Sequence, residues 1–190
     1  MPLLLEEDLK RPLPKMYRVR QSFNKEHLED IEGTVAREFA KAEIRSQVKP
    51  GMRVALAVGS RGIRNLSRIV KCVVDQLLAL GAEPFIVAAM GSHGGGTLEG
   101  QLEILHTYGI TQEAMGIPVI ANNDVELLGS TSRGIQVYFD KLCLEQADLV
   151  IPINRVKLHT DFVDTIQSGM CKMLVIGLGN HKGCSAAHEE

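Results

Sequence analysis

Apolar positions along the chain fall into two alternating rhythms: short unbroken aliphatic runs, and longer stretches with an apolar residue every three or four positions. The unbroken runs are RVALAV at 53–58, PFIVAA at 84–89 and LVIPI at 149–153. Continuous β-branched and aliphatic character of this length marks strands buried on both faces. Pro152 demotes the end of the third, because proline cannot donate to a ladder. Leu28, Ile31, Val35 and Phe39 recur at helical spacing and predict a first helix over residues 24–47, stopped by Lys49-Pro50-Gly51. Leu66, Ile69, Val70, Val73, Leu77 and Leu80 predict a second, with Asn65 as its cap and Gly81 as its left-handed stop. A glycine turn at 91–96 leads to Thr97, which caps a helix reaching Tyr108-Gly109. Ile166, Met170, Leu174 and Leu178 predict a last helix that Gly177 and Gly179 loosen.

Between 118 and 140 the rhythm shortens to pieces at 125–128 and 135–139, which predict antiparallel edge strands, and Asp140 caps a short helix through Glu145. Strand, glycine turn and helix thus repeat in register. The expected fold is α/β, a mostly parallel central sheet with helices on both faces in a Rossmann-like three-layer arrangement, with some antiparallel edge strands. Residues 185–190 read as the start of a helix with nothing to close it. Residues 1–190 are therefore expected to form a single domain, the amino-terminal one of a longer two-domain protein.

Composition narrows the classes of function. The 190 residues carry 21 Lys+Arg against 23 Asp+Glu, a formal charge of −2, and the basic residues are scattered. Such a balance gives no field that attracts a polyphosphate backbone or an anionic lipid surface. With no Trp and only 4% aromatic residues, a platform for stacking bases is not expected either. Nucleic acid and membrane are excluded as partners, no signal peptide opens the chain, and the expected compartment is the cytoplasm. Cys72, Cys143, Cys171 and Cys184 lie far apart with no C-x-x-C pair, which reads as free thiols in a reducing compartment. Cys72 and Cys143 fall in apolar helical patterns, where a thiol behaves as a small hydrophobe. A homo-oligomer is compatible with all of this.

The three strands each run into a polar or glycine-rich loop, at 59–62, 91–96 and 154–162, and in open α/β sheets that edge binds ligands. The loops hold His93 and His159 together with Arg61, Arg155 and Lys157. The backbone N–H groups of Gly94, Gly95 and Gly96 at a helix start can face a phosphate. Lys172 stands among Gly169, Met170, Cys171, Met173, Leu174 and Val175, where a charged side chain must snorkel, pair or be put to chemical use. His181 and His188 are seven residues apart, and Gly183 argues against one helix carrying both. Imidazole suits nickel, zinc and copper alike, so either residue can supply one ligand without naming the metal.

Four segments, V-G-S-R-G-I at 58–63, A-M-G-S-H-G-G at 89–95, N-R-V-K-L-H-T-D-F at 154–162 and S-G-M-C-K-M-L-V-I-G-L-G-N-H-K-G at 168–183, resemble the amino-terminal domain of the nickel-dependent lactate racemase family. The resemblance implies an isomerase, a racemase or epimerase of 2-hydroxy acids, with a nickel pincer nucleotide (pyridinium-3,5-bisthiocarboxylic acid mononucleotide nickel) as cofactor. Lys172 matches the lysine to which that cofactor is attached, and once acylated it would be neutral and cheap to bury. His188, with His181 second, matches the histidine that completes nickel coordination. His93 and His159 match the two imidazoles that alternate as general base and acid while hydride moves to the cofactor and returns to the opposite face. Ser60, Arg61, Gly94 and Gly95 are the implied contacts to the cofactor, Arg61 holding either its phosphate or the substrate carboxylate. Two departures stand out. Residues 59–63 read Gly-Ser-Arg-Gly-Ile where characterised racemases have an Asp-x-Thr-Arg-Pro type loop, and the approach to Lys172 is longer, with Thr160-Asp161-Phe162 and Thr165-Ile166-Gln167. A 2-hydroxy acid larger than lactate, or differently charged, is at least as fitting a substrate, with the carboxy-terminal domain of the same protein completing the pocket and this fragment alone inactive. A non-catalytic nucleotide- or anion-binding α/β module is the alternative reading.

Overall fold

The computed structural model describes residues 10, 12, 15–158, 163, 165 and 167–188. In chain order these form helix α1 (Ile31–Ala40), a single turn α2 (Ala42–Arg45), strand β1 (Arg53–Val58), helix α3 (Leu66–Ala79), strand β2 (Glu83–Ala88) and a 3-10 turn (Gly94–Gly96). Helices α4 (Leu98–Thr107) and α5 (Gln112–Met115) follow, then strands β3 (Val119–Ile120), β4 (Val125–Ser130) and β5 (Gln136–Asp140), helix α6 (Lys141–Gln146) and strand β6 (Leu149–Ile153). A short helix α7 (Met170–Lys172) continues into a π-helical stretch (Met173–Gly177), and helix α8 (Asn180–His188) comes last.

Five of the six residues in β1 and in β2 are buried, as expected of aliphatic runs covered from both sides. The two strands lie parallel, Val54 opposite Pro84 and Val58 opposite Ala88. The sheet order is β3-β2-β1-β6, all parallel. Pro152 therefore sits on an edge strand, where its missing donor costs least, and β6 is only half-buried. Because successive side chains alternate faces, Val54, Leu56, Val58, Ile86 and Ala88 join Val70, Val74 and Leu77 of α3 and Leu105 of α4 in one cluster. Ala55, Ala57, Phe85, Val87 and Ala89 meet Cys143, Met173 and Leu178 on the other side. Each fully buried aliphatic side chain in these layers contributes roughly 1.5–3 kcal/mol. Among the described residues no helix is long and apolar enough to cross a membrane.

Several local expectations need correction. The antiparallel strands β4 and β5 form a two-stranded sheet of their own rather than edging the main one. The first helix starts at Ile31, not near residue 24, because Asp30 takes the Gly33 N–H and caps it, while Asn24 closes a local turn onto Glu26. Leu28 is left exposed, so the first apolar residue of that stripe stays out of the core. Asn65 precedes α3 in a left-handed conformation and makes no side-chain cap, whereas Thr97 and Asp140 do cap their helices, accepting from Gly100 and Cys143. The described residues of the expected last helix, 167–178, do not form one α-helix: the chain makes a turn at Met170–Lys172, widens to a π-helical stretch, and turns again before α8.

Candidate active site

The carboxyl ends of β1, β2 and β6 open on one side of the sheet. There Gly59 to Ile63, Ala89 to His93, Asn154 to Lys157, and residues from Ser168 to His188 enclose a cavity of about 550 Å³. Its floor is the packing of the π-helical stretch on the strand ends. A side chain at Gly177 would meet the Ala89 carbonyl at 2.9 Å, and Gly91, at φ +61, leaves no more than 3.0 Å to Ile176. Glycine is required at both points by the close approach of two backbones. A π-helical turn inside a helical segment widens the backbone and often lies beside a functional group. Here it directly follows Lys172.

Lys172 lines the cavity. Its neighbours Met170, Leu174 and Val175 are 46, 41 and 39% exposed, and Lys172 itself is exposed. The apolar setting inferred from sequence is thus not a buried one, since only Met173 and Leu178 of this stretch face the sheet. His93 stands across the cavity at its rim. Its imidazole is held below the ordinary histidine value, first by partial withdrawal from water and then by the positive charges of Arg61 and Lys172. Ser60 Oγ meets His93 Nδ1, and the Ser60 carbonyl accepts a hydrogen bond from Tyr108 Oη at 2.6 Å.

Helix α8 runs through Gly183, contrary to the sequence reading. That residue is buried because a side chain there would meet the Val175 carbonyl at 2.7 Å. His181 and His188 therefore share one helix, about 10 Å apart along its axis. They do different things: His188 lines the cavity, with Nδ1 2.7 Å from the Cys184 carbonyl, whereas His181 is not among the lining residues and lies near Gly96. Gly94 and Gly95 also stay out of the cavity wall. The N–H groups of Gly96 and Thr97 are already donated to His93 and Gly94 carbonyls within the turn, so they are not spare for an anion. His159, Thr160, Asp161, Phe162 and Ile166 lie outside the described residues.

The charge of the cavity sets it apart from the rest of the surface. Arg61, Arg155, Lys157 and Lys172 line it, and among the described residues no carboxylate does and none of the four forms an ion pair. The protein as a whole carries −2. Four cations that meet no carboxylate among the described residues, over an apolar floor of Met90, Ile153, Met173 and Ile176, suit an anionic small molecule with an apolar body. Four contributors escaped the sequence reading. Ser92 and Cys184 line the cavity with Oγ and Sγ 3.7 Å apart, and would have been found only by taking α8 through Gly183. Tyr108 and the fully buried Gln101, whose Nε2 donates to the Gly91 carbonyl at 3.1 Å, act through tertiary contacts that no local pattern announces.

The sequence model of one known family, the lactate racemase N-terminal domain, matches residues 9–190. The chain belongs to this family. No match is found among curated proteins. Membership agrees with the parallel sheet and with a ligand cavity at its carboxyl edge.

Proposed function

We propose that this chain is the amino-terminal, cofactor-bearing domain of a cytoplasmic 2-hydroxy acid racemase or epimerase that uses a lysine-tethered nickel pincer nucleotide. One observation carries the reading: Lys172, His93 and His188 converge on a single cavity lined by four cations and no described carboxylate. The residues present fit such a group. Its size falls within the range of small-molecule sites, and the cations match a phosphate and a substrate carboxylate.

When bound, the cofactor supplies a reversible hydride acceptor for the hydroxyl-bearing carbon. The chain's own residues do the rest. Lys172 would hold the group covalently, His188 would supply an imidazole to its nickel in preference to His181, and Arg61, Arg155 and Lys157 would neutralise phosphate and carboxylate. His93 would take the hydroxyl proton on one face of the substrate and His159 would do the same on the other, each returning it in the reverse direction. A base held below the ordinary histidine value is free of its own proton at cellular pH, as that work requires. Val156, Leu158, Val163, Met170, Leu174 and Val175 are 39 to 94% exposed along the stretch that brings Lys157 and Lys172 to the cavity, which favours a second domain closing over it.

Intact-mass analysis of the full-length protein, made alongside the enzymes that build the cofactor, tests the proposal. An adduct on Lys172 that Lys172→Ala lacks, with racemisation of a 2-hydroxy acid lost in the same variant, is the expected result. An unmodified lysine and no bound nickel under those conditions would overturn it.

A further inference from the structure

The loop after β1 and the loop after β2 meet at one polar contact, Ser60 Oγ on His93 Nδ1. We propose that Ser60 is a positioning residue for His93, accepting its Nδ1–H so that Nε2 is the nitrogen offered to the substrate. This rests on the reading of His93 as an acid and base, and it gives Ser60 a task other than contact with the cofactor.

Both sides of the contact are built, and one helix builds them. At its carboxyl end, Tyr108 follows the last turn of α4 and donates its phenol to the Ser60 carbonyl at 2.6 Å. Near its amino end, Gln101 is fully buried and holds the Gly91 carbonyl, while Thr97 donates Oγ1 to the Gly94 carbonyl at 3.0 Å. The His93 N–H closes the same turn onto Met90 at 3.1 Å. Helix α4 thus fixes the serine from one end and the histidine from the other, so the distance between the loops does not depend on the ligand.

The choice of a hydroxyl matters chemically. A carboxylate would also accept Nδ1–H, but its charge would stabilise the imidazolium and make Nε2 more basic. No described group on the cavity wall does that. Arg61 on the β1 loop and Lys172 on α7 face the imidazole with positive charge, and the other ionisable residues lining the cavity, among those described, are Arg155, Lys157, Cys184 and His188. Ser60 therefore aligns the ring while leaving it weakly basic. In the transfer itself the substrate O–H bond breaks and Nε2–H forms, giving an imidazolium whose Nδ1–H stays on Ser60 Oγ. The proton returns by the reverse step, Nε2–H breaking as the substrate O–H re-forms.

The test follows His93 by NMR in full-length protein carrying labelled histidine, with no cofactor needed. Ser60→Asp should raise the His93 titration midpoint by about one to two pH units, a roughly 10- to 100-fold gain in proton affinity. Ser60→Ala should move the neutral ring from the Nδ1–H toward the Nε2–H tautomer, and Ser60→Thr should restore the wild-type pattern. Tyr108→Phe should give a weaker version of the alanine result. In holoenzyme, Ser60→Ala should lower kcat by about 10- to 100-fold with little change in KM. A residue that only supports the fold would shift the melting temperature and leave the tautomer alone. The inference falls if Ser60→Asp does not move the midpoint and Ser60→Ala does not move the tautomer, even in a protein that racemises. If both move as stated in a protein that racemises nothing, the positioning stands and the catalytic reading falls. Should Ser60→Asp not fold, the contrast between alanine and threonine decides.

Discussion

On one face of the sheet β1 presents Val54, Leu56 and Val58 to α3 and α4, with Leu77 and Leu105 fully buried against them; on the other it presents only Ala55 and Ala57, which share a cluster with Phe85, Val87, Ala89, Met173 and Leu178. Large side chains keep regular helices at the usual stand-off and bury much area. The two alanines of β1, with Ala89 just after β2, let an irregular, glycine-bearing backbone come down almost onto the strand ends, where Gly177 reaches the Ala89 carbonyl. The first face therefore supplies stability. The second also borders a cavity at the strand ends, with Lys172 and His188 brought to it from either side of the π-helical turn. Substitutions on the two faces should separate accordingly, the first moving stability and the second moving the site.

The largest separation is expected for Leu56→Ala. Leu56 is fully buried in the middle of β1 and points into the thick face. Truncation should cost about 2–5 kcal/mol, part transfer and part cavity, out of a total stability of about 5–15 kcal/mol. Urea unfolding should report that loss, while the fraction still folded should react with a thiol reagent at Cys184 as the parent does. A change in Cys184 reactivity as large as the change in stability would mean that the two faces are not separable.

The same contrast explains what was legible in the sequence. β1, β2 and α3 could be read off because their residues answer to a local rhythm: the aliphatic runs are buried, the stripe from Leu66 to Leu77 faces the core, and Gly81 stops the chain at φ +79. Thr97 and Asp140 cap as their side chains predict, since a cap is settled within three residues. Cys143 is buried as a small hydrophobe should be, and burial pushes its thiol well above the usual range. The segment 166–188 resisted the same treatment. Its glycines are there for close contact with Ala89 and Val175, 88 and 8 residues away from Gly177 and Gly183 respectively, and local pattern treats them as breaks. His93, Arg61 and Lys172 do meet at one cavity, but what holds them, the Ser60 contact and the buried Gln101, is fixed by strands brought together from distant stretches of chain.

Asn180 sharpens the comparison at intermediate magnitude. It is fully buried, sits at φ +52 at the start of α8, and donates Nδ2 to Asp140 Oδ2 at 2.9 Å. Asn122 donates to the same oxygen at 3.0 Å and the Cys143 N–H to the other at 2.9 Å, so Asp140 ties β5 and α6 to the helix that carries Cys184 and His188. Asn180→Ala removes one donor from a buried carboxylate and leaves a β-carbon at positive φ, and should cost about 1–3 kcal/mol. Asn180→Gly lacks the same hydrogen bond but relieves the backbone, and should recover part of that. Unlike Leu56→Ala, both should raise Cys184 reactivity more than their stability loss accounts for, because the wall of the cavity moves. Equal reactivity in Asn180→Ala and the parent would show that α8 is held by its packing alone.

The smallest effect belongs to a residue that links the helix of the first face to the turn carrying His93. Thr97 caps α4, its Oγ1 accepting the Gly100 N–H at 3.1 Å, and the same helix carries Gln101 and precedes Tyr108. Thr97→Ala should cost about 1 kcal/mol, the usual worth of such a cap, seen as a small fall in the urea midpoint without a change in slope. The sign of any change at His93 is the informative part. The Thr97 hydroxyl also donates to the Gly94 carbonyl in the turn that follows His93, but Gln101 and Tyr108 hold that turn and the Ser60 loop independently. Fraying of the first turn of α4 should therefore leave the His93 titration midpoint where it is, below the ordinary histidine value. A rise toward that value in Thr97→Ala would mean that the cap, and not the buried glutamine, sets the depth at which the imidazole sits and hence how far Arg61 and Lys172 act on it.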